Sequence, residues 1–241
     1  MKQFHTSKLL GKESVLNKIY QNSLISYNDY LLLLLILGTS KRIFKLTFKV
    51  FDENGDDKLS CQEFNQITKL IRQKSSMSNV NRSTFQKLTD KKSPLQNYLF
   101  GPNLDRTLTL NQFLNFQNDL QEDIMTYEFN NCNPKNCKIH ETQFAKLVLT
   151  YASFSEIKKN EMILNIDKTY KDSSEGIDIE NYKKFCKILQ SINDMDIALT
   201  FYNLSGNSID KATFKRVSKV VCHVDLDDYL VDVVFSIFDS D

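Results

Sequence analysis

Long apolar runs are missing from this chain: its most apolar stretch, Leu31 to Leu37, is seven residues, where a helix crossing a bilayer needs about 20. It is expected as core helix. Excess charge is missing too, since 31 Lys and Arg stand against 30 Asp and Glu, so no net field draws the chain to nucleic acid or to an anionic membrane. The five cysteines, at 61, 132, 137, 186 and 222, are odd in number and scattered, which argues against a disulfide framework. Cys132, Cys137 and His140 form a C-x4-C-x2-H spacing with no evident fourth ligand, and are read as ordinary residues rather than a zinc site. The three histidines lie far apart at 5, 140 and 223, and neither a nucleophile beside a base nor a phosphate-cradling glycine loop is visible. An enzyme with a small-molecule substrate is therefore not expected. The opening Met1-K-Q-F-H-T-S-K has neither an apolar block nor an Arg-rich amphipathic stretch, so no signal or transit segment is readable there.

What the chain does have is Phe51-D-E-N-G-D-D-K-L-S-C-Q-E-Phe64. With Asp52 as loop position 1, oxygen donors fall on Asp52, Asn54, Asp56, the Lys58 carbonyl, Ser60 and Glu63. That is the spacing by which an EF-hand loop places six or more oxygens about one hard cation, position 12 giving two of them, and the ion it suits is calcium. Leu59 at position 8 is expected to pair as a short strand with a neighbouring loop, and Phe51 and Phe64 bracket the loop with core aromatics. Ser60 and Glu63 form an S-x-x-E capping box that starts the exiting helix. Position 6, usually Gly, is Asp57, which tolerates positive φ better than most residues.

An apolar residue followed five positions later by an aromatic recurs at Ile25/Tyr30, Leu59/Phe64, Leu108/Phe113, Ile139/Phe144, Ile177/Tyr182 and Ile209/Phe214. These six repeats predict six helix-loop-helix units. The residue after each apolar one sits at a helix N-cap: Ser26, Ser60, Thr109, His140, Asp178 and Asp210. All but His140 are good capping types. The fold class expected is all-α, EF-hand-like repeats in two lobes with short strand pairings between loops. An N-lobe over 1–131 would hold the calcium-binding hand and degenerate hands. A C-lobe over 132–241 would hold degenerate hands and the start of a second calcium loop.

In chain order, a short helix is expected before Ile25, then an apolar helix from Tyr27 ending at Gly38. A helix from Lys41 follows, with Ile43, Phe44, Phe48 and Phe51 on its core face. Phe64, Ile67 and Ile71 continue the core after the loop. Residues 73–93 are rich in Ser, Asn, Gln and Lys and read as a linker. Asn111 to Asn130 reads as a long helix between lobes. Four units lack ligands, with Gly101 and Gln112, Cys132 and Gln143, Tyr170 and Asn181, or Tyr202 and Thr213 at positions 1 and 12. At the end, Val231-D-V-V-F-S-I-F-Asp239 repeats the approach to Asp52, so Asp239 and Asp241 read as positions 1 and 3 of another loop, and the sequence is expected to be a piece of a longer chain.

Several stretches carry a resemblance that covers nearly the whole chain: Leu24-I-S-Y-N-D-Tyr30, Ile71-R-Q-K-S-S-Met77, Asn81-R-S-Thr84, Leu108-T-L-N-Q-F-L-N-Phe116, Ile192-N-D-M-D-I-A-L-T-F-Tyr202 and the Val231–Asp239 stretch. In these the chain resembles the mitochondrial calcium uptake proteins, the EF-hand regulatory subunits of the calcium uniporter, and is most similar to the gatekeeping paralogue. The resemblance implies a protein of the intermembrane space, peripheral to the inner membrane, that dimerises with itself or a sister EF-hand subunit. It implies a protein that restrains the uniporter channel complex at resting calcium, with no nucleic-acid partner. Its metal ligands would be Asp52, Asn54, Asp56, Ser60 and Glu63, with Asp239 and Asp241 a partial second set. Of the family's Arg-rich linker cluster this chain keeps Arg82. The alternative reading is an EF-hand calcium buffer or calcium-dependent adaptor.

Overall fold

Side-chain caps set where the helices begin. A computed structural model describes residues 10–20, 25–52, 55–66, 93–204, 206 and 208–238. It is mostly helical. The first helices are α1 (Val15–Tyr20), α2 (Tyr27–Gly38) and α3 (Lys41–Phe51). Ser26 and Ser40 open α2 and α3 by accepting the amides of Asp29 and Ile43. Asp123, far along the chain, caps α1 by accepting from Ser14 Oγ at 2.7 Å and from the Leu16 amide at 2.9 Å. Strand β1 (Lys58–Leu59) leads into helical residues 61–66. The linker expected over 73–93 lies outside the described residues up to 92, as do Ile67 and Ile71. Then come α4 (Pro94–Phe100), β2 (Leu108–Thr109) and the 22-residue α5 (Leu110–Asn131).

After these the order is β3 (Lys138–Ile139), α6 (Glu141–Thr150), α7 (Glu156–Thr169), β4 (Ile177–Asp178), α8 (Ile179–Gln190), α9 (Ile192–Leu204), α10 (Lys211–Val221) and α11 (Asp228–Phe238). All six repeat caps form. Ser60, Thr109, Asp178 and Asp210 accept the amides of Glu63, Gln112, Asn181 and Thr213. His140, the odd residue type in the series, does the same job through Nδ1, which accepts the Thr142 amide at 3.2 Å.

The chain divides into two compact units, Met1–Ile124 and Met125–Asp241, the division falling inside α5. In the first, β1 and β2 pair antiparallel with Leu59 opposite Leu108. The two loops so joined send Phe64 and Phe113 into one core, with centroids 6.0 Å apart, where Phe113 also meets Phe44 at 4.4 Å and Phe64 meets Phe100 at 5.3 Å. In the second, β3 and β4 pair with Ile139 opposite Ile177, and Phe144 packs on Phe185 at 5.3 Å and on Tyr182 at 6.5 Å. The strand pairing expected of Leu59 is thus found twice, and the paired apolar residues are all buried.

One expectation about the core needs correction. Ile43 is 51% exposed while Phe44 and Phe48 are buried: one residue is a rotation of about 100° on a helix, so Ile43 cannot share the face of Phe44 and Phe48. Ile25 and Ile209, at position 8 of the first and last units, are 42% and 41% exposed. Among the described residues neither belongs to a strand pair, and without a partner loop a position-8 side chain has nothing to be buried against.

Candidate metal centre

The loop that follows α3 is wound around one carboxylate. Asp52 accepts the Asp56 amide on Oδ1 at 3.1 Å and the Asp57 amide on Oδ2 at 2.8 Å, and Asp56 in turn accepts the Lys58 amide at 2.9 Å. Turning the chain that tightly needs positive φ at two places, Gly55 (φ 69°) and Asp57 (φ 56°). Asp57 therefore takes the conformation expected of position 6. Lys58 then enters β1, which fixes the loop's exit against β2. At the far end Ser60 and Glu63 cap each other: Glu63 Oε2 accepts from the Ser60 amide and from Ser60 Oγ, both at 2.7 Å, while Ser60 Oγ accepts the Glu63 amide at 3.3 Å.

The donors available are thus Asp52, Asp56, the Lys58 carbonyl, Ser60 and Glu63, all oxygen, which suits a hard cation. Asn54, Asp239 and Asp241 lie outside the described residues. Among the described residues no three His, Cys, Asp or Glu side chains are gathered closely enough to hold a metal ion. Asp52 and Asp56 are turned onto loop amides and Glu63 onto Ser60, so each carboxylate is satisfied locally and mutual repulsion between them is avoided.

Asp57 supports a prediction. A non-Gly residue held at positive φ costs on the order of 1 kcal/mol, whereas the exposed charge of Asp57 acts on an ion only through screened solvent. Asp57→Gly is expected to tighten calcium binding by roughly fivefold at physiological salt, about 1 kcal/mol, as read by chelator competition. Weaker binding would mean that the charge, or the freedom of the unbound Gly loop, dominates.

The other loops are built differently. At Gly101, position 1 of the loop paired with the Asp52 loop, an added Cβ would lie 3.1 Å from Arg106 Cδ and Nε, so the Arg106 side chain fills the space that an acidic ligand would need. The Cys132 loop reaches its turn through Asn133, Asn136 and Cys137, all at positive φ. Burial raises the thiols of Cys61, Cys132 and Cys222 and pushes Cys186 up to about 11. These are inert side chains. The reading of the sequence missed Glu141, which is wholly buried and accepts from Ser174 Oγ and the Gly176 amide, each at 2.7 Å, and from the Tyr229 hydroxyl.

Paired loops, six capped units and one loop wound on Asp52 are the geometry that comparison with known proteins can test. No family model matches the chain. Calcium uptake protein 1, mitochondrial, of Danio rerio is 38% identical over 239 residues, covering 97% of this chain and 49% of that protein. The Homo sapiens protein of that name is 35% identical over 238 residues, covering 97% and 50%. Over 97% of its own length this chain is similar to the calcium uptake proteins. It spans about half the length of the curated relatives it matches. Solved structures agree with the calcium uptake protein fold: EFHA2 in a Ca-binding state superposes with a TM-score of 0.74 at 28% identity, covering 89% of this chain and 69% of that one. The apo structure of the mitochondrial calcium uniporter protein MICU2 gives 0.71 at 29% identity, covering 90% and 60%. Like them, this chain is helical and EF-hand-like in fold.

Proposed function

We propose that this chain is a calcium-sensing regulatory subunit that gates mitochondrial calcium uptake through the uniporter, working as a homodimer or with a sister EF-hand subunit. By the same reading it lies in the intermembrane space, peripheral to the inner membrane; among the described residues no helix is long and apolar enough to cross a membrane. The reading is carried by the loop wound on Asp52 and strand-paired through Leu59, and it is supported by the names of the relatives and by the EFHA2 and MICU2 folds. Asp52, Asp56, Ser60, Glu63 and the Lys58 carbonyl would hold the ion, with Asn54; Asp239 and Asp241 would begin a second site. Bound calcium would supply the charge that lets these carboxylates face one another.

The chain couples this loop to its core through a short path. Glu63 is tied to Ser60 at the first turn of the helix that bears Phe64. Phe64 is 1% exposed and touches both Phe100 and Phe113. A displacement of Glu63 is therefore a displacement of a packed aromatic cluster, which responds by repacking rather than by bending smoothly. A buffer would bind without that response. The discriminating measurement is fluorescence of an apolar dye on addition of calcium: a rise in the native chain that is absent in Glu63→Ala fits a sensor, while binding without a change in dye fluorescence fits a buffer.

A further inference from the structure

Helix α3 carries charge that the whole-chain balance hides. It holds Lys41, Arg42, Lys45 and Lys49 and no acidic residue, and all four are exposed. Among the described residues none of them forms an ion pair, whereas Lys18, Lys159, Lys211, Lys215 and Lys219 each meet a carboxylate within 3.2 Å. A second stripe lies beside the cations. Ile43, Leu46 and Val50, spaced i, i+3 and i+7, fall on one side of the helix and are 51%, 60% and 73% exposed. Phe44 and Phe48 occupy the buried side. The helix thus has three faces: aromatic and buried, basic, and apolar in water.

The shape of this surface selects its partner. Exposures of that size belong to side chains standing proud of the protein, while peptides are held in grooves whose lining is sheltered. An acidic segment attracted by the lysines alone would leave Leu46 and Val50 in water. A helix with an apolar strip bordered by Lys and Arg is suited instead to lying in the plane of a membrane surface, with apolar side chains at the headgroup boundary and cations against anionic headgroups. Ile43 to Val50 spans about 10 Å along the axis, short enough to lie flat. We propose that the outer face of α3 docks on an anionic phospholipid bilayer, Ile43, Leu46 and Val50 entering the interface and Lys41, Arg42, Lys45 and Lys49 meeting phosphate and carboxylate headgroups.

Co-sedimentation of the full chain with phosphatidylcholine vesicles, with and without phosphatidylserine, tests this. A chelator is present throughout so that calcium neither bridges lipid to protein nor occupies the loop. Binding is expected only with phosphatidylserine, and to weaken as salt is raised. Lys45→Gln with Lys49→Gln is expected to lower partition by roughly 25-fold, about fivefold for each cation removed. Leu46→Gln with Val50→Gln is expected to lower it by about tenfold or more while leaving retention on immobilised poly-glutamate unchanged. All four positions are exposed, so thermal melts of both double variants should match the native chain. Absence of phosphatidylserine-dependent binding overturns the proposal. Vesicle binding indifferent to Leu46→Gln with Val50→Gln also overturns it, and retention on poly-glutamate alone would point to an acidic polypeptide instead.

Discussion

Replacing Glu63 by Ala is expected to weaken calcium binding by more than about a hundredfold, roughly 3 kcal/mol, because position 12 supplies two of the six to eight oxygens a loop of this kind offers. The same substitution removes the acceptor for the Ser60 amide and hydroxyl, each bonded at 2.7 Å, and should cost the first unit about 1 kcal/mol of stability through the lost cap. The two losses can be separated. Glu63→Gln keeps an amide oxygen where Ser60 can use it, and the structure shows that Gln suffices for the cap: Gln112 Oε1 accepts the Thr109 amide at 2.9 Å and Thr109 Oγ1 at 3.0 Å in the paired unit. The Gln variant is therefore expected to recover the stability of the native chain without recovering its affinity. Chelator competition and urea unfolding, run on both variants, check the two halves. An Ala variant that binds as tightly as the native chain would show that Glu63 is not a ligand.

Loss of Glu141 should be strongly damaging to the second unit. Its carboxylate accepts from three donors that arrive from elsewhere in the chain, Ser174 Oγ, the Gly176 amide and the Tyr229 hydroxyl, and the same hydroxyl accepts the Glu175 amide at 3.1 Å. This joins the start of α6 to the turn before β4 and to α11. Glu141→Ala strands those donors in a buried site and is expected to cost about 3 kcal/mol or more, read by urea unfolding. The carboxyl has a pKa held below its ordinary value: burial acts to raise it, and the Tyr229 and Ser174 hydroxyls with the backbone amides outweigh burial. A carboxyl with a depressed folded pKa stabilises fully above its unfolded pKa and progressively less as pH falls through the folded one. The stability difference between the native chain and Glu141→Ala should accordingly be constant near neutrality and shrink on acidification. A difference that grew as pH fell would reverse the sign assigned here.

How much of this could be read from the sequence depended on how local the interaction is. Caps are side chains bonding amides two or three residues on, so Ser26, Ser60, Thr109, Asp178 and Asp210 announced their helices. The apolar residue just before the cap marks a strand pair in four of the six units, Leu59 with Leu108 and Ile139 with Ile177, and, among the described residues, not at Ile25 or Ile209. His140 hid among possible metal ligands because an imidazole nitrogen is an uncommon cap. Glu141 was invisible for a different reason, since its donors lie 33, 35 and 88 residues away and only the closed fold brings them together. The outer face of α3 was lost in averaging: a net charge of +1 says nothing about four cations on one helix. Of the candidate ligands, the geometry bears on Asp52, Asp56, Lys58, Ser60 and Glu63, while Asn54, Asp239 and Asp241 lie outside the described residues.

The claim on which the account turns is that the Asp52–Glu63 loop is a calcium site, and the one with a full ligand set in this chain. Calorimetric titration of the chain with calcium at neutral pH tests it most directly. One equivalent of calcium is expected, disappearing in Glu63→Ala. No binding, or a second equivalent that survives the Glu63→Ala substitution, would contradict it.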